Sequence, residues 1–156
     1  MSAQQTMAAV VRAVTVRRSQ EEAFHLFTER LADWWPLDRH GVYQADTAGV
    51  FFEGAEVVER STSGERSVWA EVTEWWPPHR IAMTWHPGAD PAESTLVEIE
   101  FRDDGPEQTR VELVHHGWER LSERAVESRA SYAGGWVGVL GAYAELAESG
   151  VTESEQ

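Results

Sequence analysis

Two segments of the chain alternate apolar and charged residues with a period of two. In STLVEIEFR, Val97, Ile99 and Phe101 fall on one side and Glu98 and Glu100 on the other. In TRVELVHHGW, Val111, Leu113 and His115 oppose Arg110 and Glu112. The intervening DDGPEQ is a turn sequence. Such alternation belongs to an antiparallel sheet with one face in water and one face covered. The chain must therefore supply a cover, and one segment is long enough. From about Leu121 to Glu148, Ala125, Tyr132, Trp136, Val139, Leu140, Tyr143 and Leu146 recur at three- or four-residue steps. As a helix this segment spans roughly 40 Å at 1.5 Å per residue.

Local signals place the other elements. VVRAVTVRR (Val10–Arg18) is apolar and β-branched, which predicts a first strand. Ser19 and Glu22 form a capping box, and Ala23, Phe24, Phe27 and Leu31 share a helical face. A helix from about Gln20 to Leu31 follows, closed within WWPLDRHG by Pro36, with Gly41 marking a loop. GVFFEGAEVVER predicts two short strands around a turn at Glu53–Gly54. ERSVWAEVTEWW is a longer strand stopped by Pro77–Pro78, and HRIAMTW is the next, with Ile81, Met83 and Trp85 on one face. The connections are short and favour a meander. The expectation is one α+β domain over residues 8–148, with flexible ends at 1–7 and 149–156.

The covering helix contains YAGGWVGVLGAY, with Gly134, Gly135, Gly138 and Gly141 and no charge. A membrane span needs about 20 apolar residues, and Glu127 and Arg129 before the stretch and Glu145 and Glu148 after it leave too few. As a helix it carries about 1 kcal/mol of penalty per interior glycine against alanine. Gly134, Gly138 and Gly141 lie at helical spacing and form a bare ridge. Two explanations offset the penalty: close packing on a twisted sheet, or space left for a ligand between helix and sheet.

Composition excludes several classes. Thirteen basic against 27 acidic residues give a net charge of −14, which repels phosphate backbones and anionic lipid surfaces. Nucleic acid is not an expected partner. There is no cysteine, so disulfides and thiolate chemistry are excluded and a cytoplasmic location is expected. The N-terminal MSAQQTMAAVVRAV lacks the pattern of a signal peptide. Eight tryptophans are the outlier. They imply a large core, a ligand pocket or an interface.

The order strand, helix, six strands, long helix is that of the helix-grip fold. VRAVTVRRSQEEAFHLFTERLADWW resembles the opening of the START-like SRPBCC superfamily. EVTEWWPPHRIAMTWHPG, TRVELVHHGW and GGWVGVLGAY resemble its recurrent strand and last-helix patterns. Within the superfamily the chain is similar to the homologues of the activator of the heat-shock-protein-90 ATPase, over about residues 8–148. The resemblance implies a birch-pollen-allergen-like fold, in which a curved antiparallel sheet of about seven strands grips the C-terminal helix around an apolar cavity. Superfamily members bind lipids, sterols, polyketides or aromatic compounds there, and some close polyketide rings or hydrolyse substrates. The eukaryotic co-chaperone carries this domain behind a separate N-terminal domain that contributes to chaperone contact, and only the one domain is expected here.

Trp69, Trp85, His115 and Trp136 are the main pocket candidates: the faces of Trp85 and His115 should point at the helix that carries Trp136, whereas the strand of Trp69 has Val68, Ala70 and Val72 on the opposite face. Phe51, Met83, Phe101, Tyr132, Leu140 and Tyr143 could line the same space. The alternative is that these side chains simply fill the core. His115 and His116 are adjacent, so in a strand they point to opposite faces and do not share an ion. No metal or cofactor is expected. His115 as a general base is chemically possible, as is a satisfied structural histidine. Glu71 and Glu74, three apart in a strand, are expected on opposite faces and solvated. No nucleophile elbow or phosphate loop is present, so no catalytic residue is assigned. In each of the pairs Trp34–Trp35 and Trp75–Trp76, one member is expected to face outward or into a loop, where it could close the cavity or join a protein partner or second subunit. The leading expectation is a protein that binds a small hydrophobic or aromatic molecule. The alternatives are a protein-interaction module of co-chaperone type and a cyclase- or hydrolase-like enzyme.

Overall fold

The computed structural model describes residues 8–35, 47–87 and 90–154. Among the described residues there are seven strands: β1 (Val10–Val16), β2 (Thr47–Glu53), β3 (Glu56–Ser61), β4 (Arg66–Trp76), β5 (Arg80–Trp85), β6 (Thr95–Asp103) and β7 (Thr109–His116). They form one antiparallel sheet in the order β1-β7-β6-β5-β4-β3-β2. Helices α1 (Gln20–Thr28) and α2 (Leu31–Trp34) lie in the connection between the two edge strands. A 3-10 turn at Trp118–Arg124 leads into the long helix α3 (Ala125–Ser154).

The alternation sorts the faces as anticipated. Val97, Ile99, Phe101, Val111, Leu113 and His115 are all at most 1% exposed. Their outward neighbours form an ion-pair ladder, in which Arg80 meets Glu74 at 2.6 Å, Glu98 at 3.0 Å and Glu100 at 3.2 Å. Register shifts at Thr47/Gly49, Val57/Val58 and Val72/Glu74 interrupt the ladders on one side of the sheet. Such bulges bend a strand and increase its twist, and they curl this sheet around the helix. The last of them also corrects the reading of Glu71 and Glu74. The extra residue puts both on the outer face, where Glu71 accepts from Thr84 and Glu74 from Arg80. They serve opposite ends of β5 and share no site.

Ser19 caps α1 by accepting from the Glu22 amide at 3.2 Å. The helix buries Ala23, Phe24, Leu26 and Phe27. It stops at Thr28, three residues before the expected end, where the Thr28 hydroxyl turns back to the Phe24 carbonyl. Leu31 instead begins α2. Both tryptophans of the first pair are buried, Trp34 4% and Trp35 9% exposed, because neighbours on a helical turn diverge by roughly 100° and this turn has aromatic walls on two sides. Both of the second pair are exposed, Trp75 48% and Trp76 63%, at the end of β4 where β3 no longer pairs with it.

Helix α3 presents Trp136, Val139, Leu140, Tyr143 and Ala147 to the core. Arginines tie it down: Arg12 Nε donates to the Ala133 carbonyl at 3.1 Å and Arg18 Nε to that of Ala147 at 2.9 Å. The glycine ridge does neither of the things expected of it. Among the described residues, a Cβ placed on Gly134, Gly138 or Gly141 would meet nothing within 4 Å, and Gly134 and Gly138 are exposed with Gly141 half-buried, so the ridge runs along the solvent side of the helix. The helix also continues to Ser154, past the expected flexible start at 149. Residues 1–7 and 155–156, and the loop positions Pro36 and Gly41, lie outside the described residues.

Candidate ligand site

Four indoles converge between the sheet and α3. Trp69 comes from β4, Trp85 from the end of β5, Trp136 from α3, and Trp35 from the residue after α2. Ring centroids run 5.2 Å from Trp35 to Trp69, 5.8 Å on to Trp85, 5.4 Å on to Trp136 and 6.1 Å back to Trp35. The closed circuit has tilted and edge-to-face geometry, which aromatic quadrupoles favour. Between these rings and apolar neighbours such as Met83 and Phe52 lies a gap of about 20 Å³. That is room for about one water.

The indole N–H groups of Trp69, Trp85 and Trp136 are each turned to a partner other than the gap. Trp69 donates to Glu59 Oε1 at 3.0 Å, Trp85 to the Tyr132 hydroxyl at 3.1 Å and Trp136 to His115 Nδ1 at 2.9 Å. An indole N–H only donates, so Nδ1 of His115 is the acceptor and its neutral ring carries the proton on Nε2. Nε2 then donates to Thr95 Oγ1 at 2.6 Å, and that hydroxyl passes its own proton toward the Trp85 carbonyl at 3.4 Å. Burial, with a smaller push from His116, lowers the His115 pKa to about 3. His115 is thus neutral with both nitrogens engaged, a satisfied core histidine rather than a poised base. His116 points outward to Glu98 at 2.9 Å. Among the described residues no three histidine or carboxylate groups gather as a metal set.

The predicted pocket residues divide into groups. Trp69, Trp85, Met83 and Trp136 line the gap. Tyr132 and His115 stand behind it, with the Tyr132 ring stacked on Trp136 at 5.8 Å and 29°. Burial raises the Tyr132 pKa, against the lowering effect of the Trp85 N–H. Phe101 and Tyr143 belong to an adjoining aromatic cluster through Phe27, at 5.5 and 5.2 Å. The Tyr143 hydroxyl donates to the Ala23 carbonyl at 2.8 Å, and burial raises its pKa. Leu140 is buried but is not part of the lining. Phe51 points away: it is 38% exposed, and its ring lies over Gly49, where an added Cβ would come within 2.6 Å of it. Phe52 takes the inward position instead. Leu31, Trp35 and Phe52 on the lining, with Thr95 and the fully buried Glu59 behind it, are among the site residues outside the set expected from sequence. The alternation of Val50 with Phe52 was the available signal for Phe52.

The family described as "Activator of Hsp90 ATPase homolog 1-like protein" matches residues 17–148. The chain belongs to that family. Among solved structures, this family member is 34% identical to an anthrahydroquino-γ-pyrone synthase, Txn09, complexed with the ligand designated SUM. That match covers 78% of this chain and 84% of the synthase, with a TM-score of 0.55. Two further structures show the fold alone. One is the self-sacrificing resistance protein CalC from Micromonospora echinospora (22% identity, 88% and 92% covered, TM-score 0.60). The other is XoxI from Bacillus cereus (13% identity, 90% and 96% covered, TM-score 0.64). No curated protein sequence matches significantly. The fold is the helix-grip fold of the START-like superfamily. Among the described residues no helix is long and apolar enough to cross a membrane.

Proposed function

We propose that this protein binds a small, uncharged, planar aromatic molecule against the Trp35–Trp69–Trp85–Trp136 circuit. One observation carries the reading: indoles from four separate elements face a common apolar gap, while the N–H groups of Trp69, Trp85 and Trp136 are all satisfied elsewhere. The site therefore offers ring faces and edges without an unpaired donor, which suits a flat apolar ligand. The 34% identical synthase, whose name describes a fused aromatic compound, supports the same ligand class. The net charge of −14 disfavours anionic ligands. The absence of cysteine fits action in the cytoplasm.

The synthase also favours a second reading, in which the bound molecule is turned over. In that case the circuit orients the substrate, and His115 is not its base, because its Nδ1 lone pair already accepts from Trp136 and its Nε2 is bonded to Thr95. A protein partner has less support. Trp76 is exposed, but Trp75 already packs on Phe24 at 5.3 Å and Phe52 at 5.8 Å.

The test is equilibrium titration with N-phenyl-1-naphthylamine, a neutral aromatic probe, followed by quenching of tryptophan emission. Saturable 1:1 quenching that Trp136→Ala weakens at least tenfold is expected. A linear, non-saturating response up to the probe's solubility limit would sink the reading.

A further inference from the structure

The gap of about 20 Å³ is far below the roughly 300 Å³ at which ligand pockets begin. A ligand can occupy the site only if part of the wall moves, and two neighbouring spaces identify that part. Outside the gap, between the α1–α2 corner and β2, lies an open cleft of about 220 Å³ bordered by Leu31, Ala32, Phe52, Gly54 and Trp75. Leu31 and Phe52 line both the cleft and the gap. These two side chains are the partition between them.

Leu31 sits on α2, and Trp35, which touches all three other indoles of the circuit, follows directly after it. Helix α2 is a single four-residue turn, and Arg30 at its N-cap makes no side-chain capping bond. So short a helix has little stability of its own. Its fixed point is Trp34, whose Nε1 donates to the Leu26 carbonyl at 3.0 Å and whose ring packs on Phe27 and Tyr143.

We propose that α2 is the door of the site. Turning about Trp34, it draws Leu31 and Trp35 away from Phe52, joins the cleft to the gap, and admits a neutral planar aromatic molecule beneath Trp75. Phe52 and Trp75, 5.8 Å apart, provide aromatic surface along this route, and Glu29 at the rim disfavours anions. This inference rests on the ligand-binding reading above and adds the route and the moving element.

Stopped-flow association of N-phenyl-1-naphthylamine with the full chain tests it. Phe52→Ala removes half of the partition and should raise the association rate constant at least fivefold. Ala32→Trp plugs the cleft without lining the gap and should lower that constant at least tenfold at an unchanged urea midpoint. If Ala32→Trp does not fold, Phe52→Ala decides alone. Wild-type association rates in the folded variants overturn the door while leaving the binding reading intact. A wild-type protein that does not bind the probe overturns both.

Discussion

Trp136 of α3 donates its indole N–H to Nδ1 of His115 on β7 at 2.9 Å, and this bond requires the histidine to stay neutral. The folded His115 pKa is about 3 against an ordinary 6.5. Between those values the unfolded chain takes up a proton that the folded chain refuses. The contribution is therefore intact above about pH 6.5 and is lost progressively as pH falls toward 3, at up to about 1.4 kcal/mol per pH unit. Urea unfolding at pH 7 and pH 5 should show the fall in wild type. His115→Gln, which has a donor and an acceptor but no titration in this range, should show a visibly smaller one. Equal slopes would mean that His115 is not buried neutral.

The Trp85 indole donates to the Tyr132 hydroxyl at 3.1 Å. Tyr132→Phe keeps the ring on Trp136 and removes the acceptor, leaving a buried N–H at a cost of about 1–3 kcal/mol. In a Trp85→Phe background that donor is already gone, so the same substitution should cost much less. A double-mutant cycle by urea unfolding reads the difference directly. Equal costs in both backgrounds would deny the bond.

Gly138→Ala should stabilise the protein. The Cβ site is open, the backbone is helical, and the exchange recovers about 0.8–1 kcal/mol of helix propensity. Thermal unfolding should show Tm rising by a few degrees. A lower Tm would place that side of α3 against a surface that this structure does not show.

The glycine ridge shows where sequence reasoning reaches its limit. Spacing located the helix correctly, because Trp136, Val139, Leu140 and Tyr143 mark its buried stripe. Glycine carries no side chain to mark a face, so the ridge could be read as inward when it lies toward solvent. The inner faces of β5 to β7 were legible because Glu98, Glu100, Arg110 and Glu112 pin the alternate positions outside. Strand β2 has no such pins: Val50, Phe51 and Phe52 are all apolar, a register shift sits beside them, and Phe51 was placed inward in error. The bulge at Val72/Glu74 likewise breaks the counting that separated Glu71 from Glu74. Trp35 is legible in the sequence only as a residue that could close the cavity, because its place in the circuit depends on a turn, α2, of which the pattern gives Leu31 to α1 and the rest to a loop.

The indole of Trp35 closes one side of the gap, and its removal gives a final prediction. Trp35→Ala should cost about 3–5 kcal/mol, as large-to-small changes in cores do. The resulting cavity is walled by Trp69, Trp85 and Trp136, whose N–H groups point elsewhere. An apolar cavity of this kind takes up small aromatic molecules. Added indole should therefore bind the variant and restore stability by RT ln(1 + [L]/Kd), about 2.7 kcal/mol at a hundredfold excess over Kd. Thermal unfolding with and without indole measures this. The variant's Tm should rise with indole concentration, and by more than that of the wild type, in which the Trp35 ring occupies the volume that the substitution opens. Equal responses would mean that no indole-sized cavity forms at position 35.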